Sequence, residues 1–147
     1  MIGTKLVVQI GIVVHDIEKT AQAYASFFNV DVPPIEWTGT QEEAQTRYKG
    51  EPSPARAKLA FFDMESIQLE LIEPDEHPST WRDHLDEYGE SVHHIAFIVK
   101  DMQGVVKRME QNGMPLIQKG EYDGGRYAYM DTMKELKVLF ELLENDE

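Results

Sequence analysis

No cysteine occurs in the 147 residues. A disulfide frame, a thiolate nucleophile and a Cys-based metal site are therefore excluded. Positive charge is scarce: 14 Lys and Arg stand against 27 Asp and Glu, a formal net charge of −13. That balance argues against broad nucleic-acid binding, which needs a basic footprint. It leaves room for an anionic ligand on a local basic patch. No apolar run approaches the roughly 18 residues that suggest a membrane-spanning helix, and the start Met1-Ile2-Gly3-Thr4-Lys5-Leu6-Val7-Val8 has no signal-peptide layout. These absences fit a cytoplasmic protein with no membrane partner. At 41% hydrophobic and 28% charged residues, the composition is that of a globular chain, long enough for one ordinary domain or two small modules sharing a core.

A repeat is present. Gln9-Ile10-Gly11-Ile12-Val13-Val14-His15-Asp16 resembles His94-Ile95-Ala96-Phe97-Ile98-Val99-Lys100-Asp101 at a constant offset. Each stretch reads as a strand followed at once by an Asp able to cap a helix. A second echo closes each half: Leu69-Glu70-Leu71-Ile72-Glu73 resembles Phe140-Glu141-Leu142-Leu143-Glu144. The first copy is the longer between its landmarks.

Local patterns agree with two copies of one plan. In the first half, a strand over 6–14 leads to a helix over 17–28 with Ile17, Ala21, Tyr24 and Phe28 as its buried stripe. A short strand is expected around 32–37, loop plus a short strand over the polar 38–55, then strands near 56–63 and 66–73. Pro74-Asp75-Glu76-His77-Pro78 breaks the pattern and starts a linker, in which Ser79 caps a short helix over 80–88 with Trp81, Leu85 and Tyr88 as apolar contacts. The second half has a helix over 102–112 capped by Asp101 and ended by Gly113, with strands near 115–119, 125–131 and 136–143. The reading is one domain: module 1 over about 6–73, a linker over about 74–90 and module 2 over about 91–143. Neither module holds much core alone, so the two are expected to pack together.

Period-two alternation sorts the strand faces. Ile10, Ile12 and Val14, and in the partner strand Ile95, Phe97 and Val99, should meet the helices. So should Leu69, Leu71, Val138, Phe140 and Leu142. Gln9, Glu70, His94 and Glu141 then fall at repeat-related positions on the opposite, non-helical faces. Two carboxylates facing one cleft repel, and a proton or a cation must relieve them. Imidazole, carboxylate and amide donors suit Zn, Ni, Co, Mn or Fe in varying degree. His15, His77 and His84 read as surface or packing histidines, and the methionines of the second helix as core.

These stretches, together with Gly89-Glu90-Ser91-Val92-His93-His94-Ile95-Ala96-Phe97, resemble the vicinal oxygen chelate superfamily. It includes glyoxalase I, methylmalonyl-CoA epimerase, extradiol dioxygenases and the fosfomycin- and bleomycin-resistance proteins. The resemblance covers nearly the whole chain. It implies an α+β fold of two tandem βαβββ modules forming a curved mixed sheet around a cleft, and a homodimer. It also implies one divalent ion (Zn, Ni, Co, Mn, Fe or Mg) on Gln9, Glu70, His94 and Glu141. The first position is most often His in the bacterial epimerases and glyoxalases, whereas Gln occurs there in glyoxalase I of the human type. With one His in the set, iron dioxygenase chemistry is disfavoured.

The mechanism implied is proton abstraction next to a carbonyl through a metal-stabilised enediolate. Glu141 is the first choice of base, Glu70 the second, and Glu51, in the loop ahead of the third strand, the third. The compact plan leans towards methylmalonyl-CoA epimerase, and Gln9 pulls towards a glyoxalase I-like lyase acting on lactoylglutathione or another thiol adduct. A non-catalytic resistance protein that sequesters a small molecule is the remaining alternative. The substrate expected is a small molecule such as a thioester or thiol adduct. Arg47, Lys49, Arg56 and Lys58 form a basic run able to hold its anionic group, with Arg126 in Gly124-Gly125-Arg126-Tyr127 as a second contact.

Overall fold

The computed structural model describes Met1–Glu147. The first half runs β1 (Gln9–Val13), α1 (Ile17–Phe28), β2 (Glu36–Trp37), α2 (Gln41–Ala44), β3 (Arg47–Tyr48), β4 (Glu51–Pro52), β5 (Ala57–Asp63) and β6 (Gln68–Pro74). The linker carries α3 (Thr80–Tyr88). The second half runs β7 (Ser91–Ile98), α4 (Met102–Gln111), β8 (Leu116–Tyr122), β9 (Gly125–Met130), α5 (Met133–Leu136) and β10 (Leu139–Asn145).

The helix starts follow from their caps. Asp16 accepts from Lys19 N–H, Ser79 from Arg82 N–H and Asp101 from Gly104 N–H, each satisfying a donor the first turn leaves unpaired. Gly113, at φ +81°, turns the chain just after α4.

All strands join one mixed, curved sheet in the order β2-β5-β6-β1-β7-β10-β9-β8-β3-β4. β1 pairs parallel with β6, and β7 pairs parallel with β10. β6 is antiparallel to β5, and β10 to β9. The two halves are therefore the same motif, joined where β1 meets β7 antiparallel. This is the vicinal oxygen chelate fold.

The faces divide as alternation requires. On the outer side, Val14, Ile17, Ala21, Ala25, Ala60, Phe62, Leu69 and Leu71 pack under α1. Phe97, Val99, Met102, Val105, Met109, Ala128, Met130 and Leu142 pack under α4. Burying each large aliphatic side chain here stabilises the fold by about 1.5–3 kcal/mol. Ala25 takes the place expected of Phe28, which stays exposed, as does Tyr88. On the concave side, α3 lays Trp81 and Leu85 against Val13, Ala57, Ile72 and Tyr129.

The segment expected as loop plus a short strand contains α2 and the β3–β4 hairpin. It leaves the β2 edge, and β3 pairs with β8 at the other end of the sheet. The added length of the first copy thus caps the outer edge of the second module. Tyr48 of the hairpin bonds Asp83 of α3, and Ser53 Oγ donates to the Pro78 carbonyl at 3.1 Å. The final strand begins at Leu139 rather than near 136, because Met133–Leu136 make the short α5.

Candidate metal centre

The four repeat-related residues converge. Gln9 on β1, Glu70 on β6, His94 on β7 and Glu141 on β10 are 5%, 6%, 0% and 5% exposed. His94 Nε2 is the hub, with Gln9 Oε1 at 2.7 Å, Glu70 Oε1 at 3.4 Å and Glu141 Oε1 at 3.4 Å. The two 3.4 Å separations match edges of a coordination polyhedron, whereas the 2.7 Å contact to Gln9 is a hydrogen bond, shorter than such an edge. Donors about 2.1 Å from a common ion lie about 3.0–3.4 Å apart in octahedral or tetrahedral arrangement.

Backbone and neighbouring side chains build this convergence. Gly11 pairs in register with His94, and a Cβ on Gly11 would collide with the imidazole ring. The missing side chain is the space the ring occupies. Gln9 Nε2 donates to Gln68 Oε1 at 2.6 Å, which turns the Gln9 amide oxygen inward. His93 Nδ1 lies 2.8 Å from His94 Nδ1, and His93 Nε2 lies 3.2 Å from Thr80 Oγ1.

The electrostatics require a proton or a cation between the buried carboxyls. Burial first, and the facing Glu141 second, push the Glu70 carboxyl well above its usual range. Burial raises Glu141 to about 8, opposed by the Tyr129 hydroxyl. Burial lowers His94 to about 3, so its imidazole is neutral. Glu70 Oε1 is buried with no hydrogen-bond donor, although His94 Nε2 is 3.4 Å away. The single Nε2 proton is directed to Gln9, the nearer acceptor. An orphaned buried carboxylate oxygen, a neutral imidazole nitrogen and a second carboxylate fit a divalent ion.

Other residues singled out in the sequence lie elsewhere. Glu51 is exposed on β4, the last strand of the sheet order, and has no hydrogen bond or ion pair to the four. The basic run divides. Arg47 and Lys49 sit at the β3–β4 hairpin, whereas Arg56 and Lys58 lie against Trp37 at the opposite edge, Lys58 paired with Glu73. Arg126 is already bound by Glu121, Glu144 and Asp146, which removes it as an anion contact. A cavity of about 640 Å³ between α4, β8 and β9 includes none of the four convergent residues. Asp75, Glu76 and His77 on the surface are the one group of three His and acid side chains with a ligand atom each within 4.8 Å of one another, but Asp75 already caps the Arg56 and His77 amides. Glu70 and Glu141, on either side of His94, are farther apart and would have to close on an ion.

The concave face is closed on one side by α3. Elsewhere it meets solvent: Phe61, the register partner of Glu70, is 40% exposed, and Ile98, four residues beyond His94 on the same face, is 49% exposed. Gln68, His93, Thr80 and Tyr129 were not read as site residues from sequence. Alternation from Glu70 reaches Gln68, but the contribution of α3 depends on how the linker docks.

A model of the Glyoxalase/Bleomycin resistance protein/Dioxygenase superfamily matches residues 8–129. The chain belongs to this superfamily. Its members commonly bind a divalent metal, in keeping with the donor set above. A Bacillus subtilis (strain 168) protein named "Uncharacterized protein YqjC" is 29% identical over 92 residues, 60% of this chain and 66% of that protein's length. Among solved structures, hypothetical protein BH1468 from Bacillus halodurans C-125 matches with TM-score 0.65 at 22% identity, covering 96% of this chain and 94% of the other. Methylmalonyl-CoA epimerase from Mycobacterium tuberculosis matches with TM-score 0.64 at 22% identity, covering 100% and 94%. A methylmalonyl-CoA epimerase in complex with methylmalonyl-CoA and NH4+ matches with TM-score 0.64 at 23% identity, covering 95% and 93%. At these identities the superfamily fold is what is shared. No helix in the chain is long and apolar enough to cross a membrane.

Proposed function

We propose that this protein binds one divalent cation on Gln9, Glu70, His94 and Glu141 and catalyses proton abstraction next to a carbonyl, as an epimerase of methylmalonyl-CoA or a similar acyl thioester. The observation that carries the reading is the buried hub: His94 Nε2 with three side-chain oxygens at 2.7–3.4 Å, one of them without a donor. When bound, the ion supplies positive charge that polarises a substrate carbonyl and acidifies the neighbouring C–H. A carboxylate oxygen of Glu141 takes that proton, with Tyr129 beside it to hold the carboxyl in place. Glu70 stands on the other side of His94, suited to return a proton to the opposite face of the carbon. Low exposure keeps water from protonating the carbanion at random. The apolar mouth at Phe61 and Ile98 suits the carbon part of an acyl group.

The superfamily neighbours in complex with methylmalonyl-CoA and with 2-nitronate-propionyl-CoA support a thioester as substrate. Gln9 in the first ligand position supports a second reading, a lyase acting on a thiol adduct. The protein acts as a homodimer in the cytoplasm in either reading. Metal analysis of protein purified without chelator should find one ion per chain. Incubation with methylmalonyl-CoA in D2O should exchange the hydrogen next to the thioester carbonyl. Turnover of a methylglyoxal–thiol adduct in place of that exchange selects the lyase. Tight binding of either compound without turnover selects sequestration.

A further inference from the structure

We propose that His93 and Thr80 are positioning residues for His94, forming a hydrogen-bond relay that reverses direction when a cation occupies the centre. The inference rests on the metal-binding reading above. It follows from donor bookkeeping. Gln9 spends its amide hydrogens towards Gln68 and turns only oxygen to His94 Nε2, 2.7 Å away. Without a cation, Nε2 therefore carries the His94 proton and Nδ1 is an acceptor. His93 Nδ1, 2.8 Å away, must donate to it. That leaves His93 Nε2 as an acceptor, and the hydroxyl of Thr80, 3.2 Å away, donates.

A cation on His94 Nε2 requires the lone pair there, so the proton moves to Nδ1. His94 then donates to His93 Nδ1, and His93 Nε2–H donates to Thr80 Oγ1. Every member keeps its partner in both directions because a hydroxyl both donates and accepts. The Thr80 carbonyl also faces the His93 ring and favours a proton there, which suits the direction taken with a cation bound. His94 and His93 are fully buried and Thr80 is 4% exposed, so water does not substitute. A ligating histidine whose second nitrogen donates to a fixed partner is a better and better-oriented ligand.

Thr80 opens the first turn of α3, which makes the linker helix part of the centre. The next residue strengthens this: Trp81 Nε1 donates to Tyr129 OH at 3.0 Å, and Tyr129 is the register partner of Glu141. Successive residues of one helical turn thus reach towards two of the four proposed ligands.

The test uses the full chain, freed of metal by chelator and titrated with Zn2+. Long-range 1H–15N NMR of the imidazoles reports which nitrogen of His93 and His94 carries the proton. On Zn2+ addition both rings should exchange their protonated nitrogen. Thr80→Val, which keeps the shape without the hydroxyl, should weaken Zn2+ binding about tenfold in chelator competition, and Thr80→Ser should restore it to within about twofold. A wild-type protein that binds Zn2+ with the His93 ring unchanged overturns the relay, as does Thr80→Val binding like the wild type. If Thr80→Val does not fold, the wild-type spectra and Thr80→Ser still decide. A wild-type chain that takes up no Zn2+ or other divalent ion overturns the metal reading, and the relay with it, before any variant is made.

Discussion

Gly11 on β1 and His94 on β7 are register partners, and the imidazole of His94 fills the space where a side chain on Gly11 would project. The hub of the centre is thus positioned by an absent Cβ as much as by its own strand. Gly11→Ala should force the ring off its place. The expected result is at least a tenfold loss of Zn2+ affinity and, from overpacking, about 1–3 kcal/mol of stability lost in metal-free protein. Denaturant melts with chelator read the second, and Zn2+ titration the first. Unchanged affinity would mean that His94 does not hold the ion from this position.

Metal-free protein should lose stability between pH 6.5 and about 8. Glu70 and Glu141 are raised in the fold, Glu141 to about 8 from a usual 4.5. Their contribution is complete below pH 4.5 and is lost as pH rises, that of Glu141 through about 8, since only the folded state still holds the protons. His93 and His94 are lowered, His94 to about 3 from 6.5. Their contribution is complete above pH 6.5 and is lost as pH falls. Between 6.5 and 8 the carboxyls act alone, at up to about 1.4 kcal/mol per pH unit for each proton. Chelator-treated protein should melt lower at pH 8 than at pH 6.5, and Zn2+ should raise the melting temperature more at pH 8. A flat profile in this window would show that the two carboxyls do not share an unscreened site.

Glu141→Gln separates the two roles proposed for this carboxylate. Exchange of the substrate hydrogen in D2O should fall by about 10²–10⁴ with the base removed. Metal-free Glu141→Gln should nevertheless be more stable than the wild type at pH 8, because the neutral amide no longer confronts Glu70. Loss of activity together with loss of stability at pH 8 would point to a structural role for Glu141 instead.

Much of this arrangement was legible in the chain. The echo of Gln9–Asp16 in His94–Asp101 exposed the repeat. Alternation put Gln9, Glu70, His94 and Glu141 on one kind of face, and the capping aspartates marked where α1 and α4 begin. What alternation does not encode is how far apart strands lie once a sheet is assembled. Arg47 and Arg56 are close in sequence yet belong to opposite ends of the strand order, because the intervening hairpin crosses to β8. Arg126 read as a free cation because its partners Glu121, Glu144 and Asp146 come together only when β8, β9 and the end of β10 align. The supporting role of Thr80 was hidden for the same reason: docking of α3 on the concave face is a tertiary event, with no periodicity of its own.

Glu51 provides the sharpest comparison between family resemblance and geometry. Resemblance offered it as a base, but the structure has it exposed on β4, where its register partner is Tyr48. An exposed carboxylate is well solvated, has no buried neighbour to orient it and cannot exclude water from the proton it moves. Glu51→Gln should therefore leave metal content unchanged and hydrogen exchange into a thioester within about twofold of the wild type, in contrast to Glu141→Gln. A hundredfold loss of exchange with metal content intact would return the base role to Glu51, and would require the β3–β4 hairpin to fold over the mouth of the cleft when substrate binds.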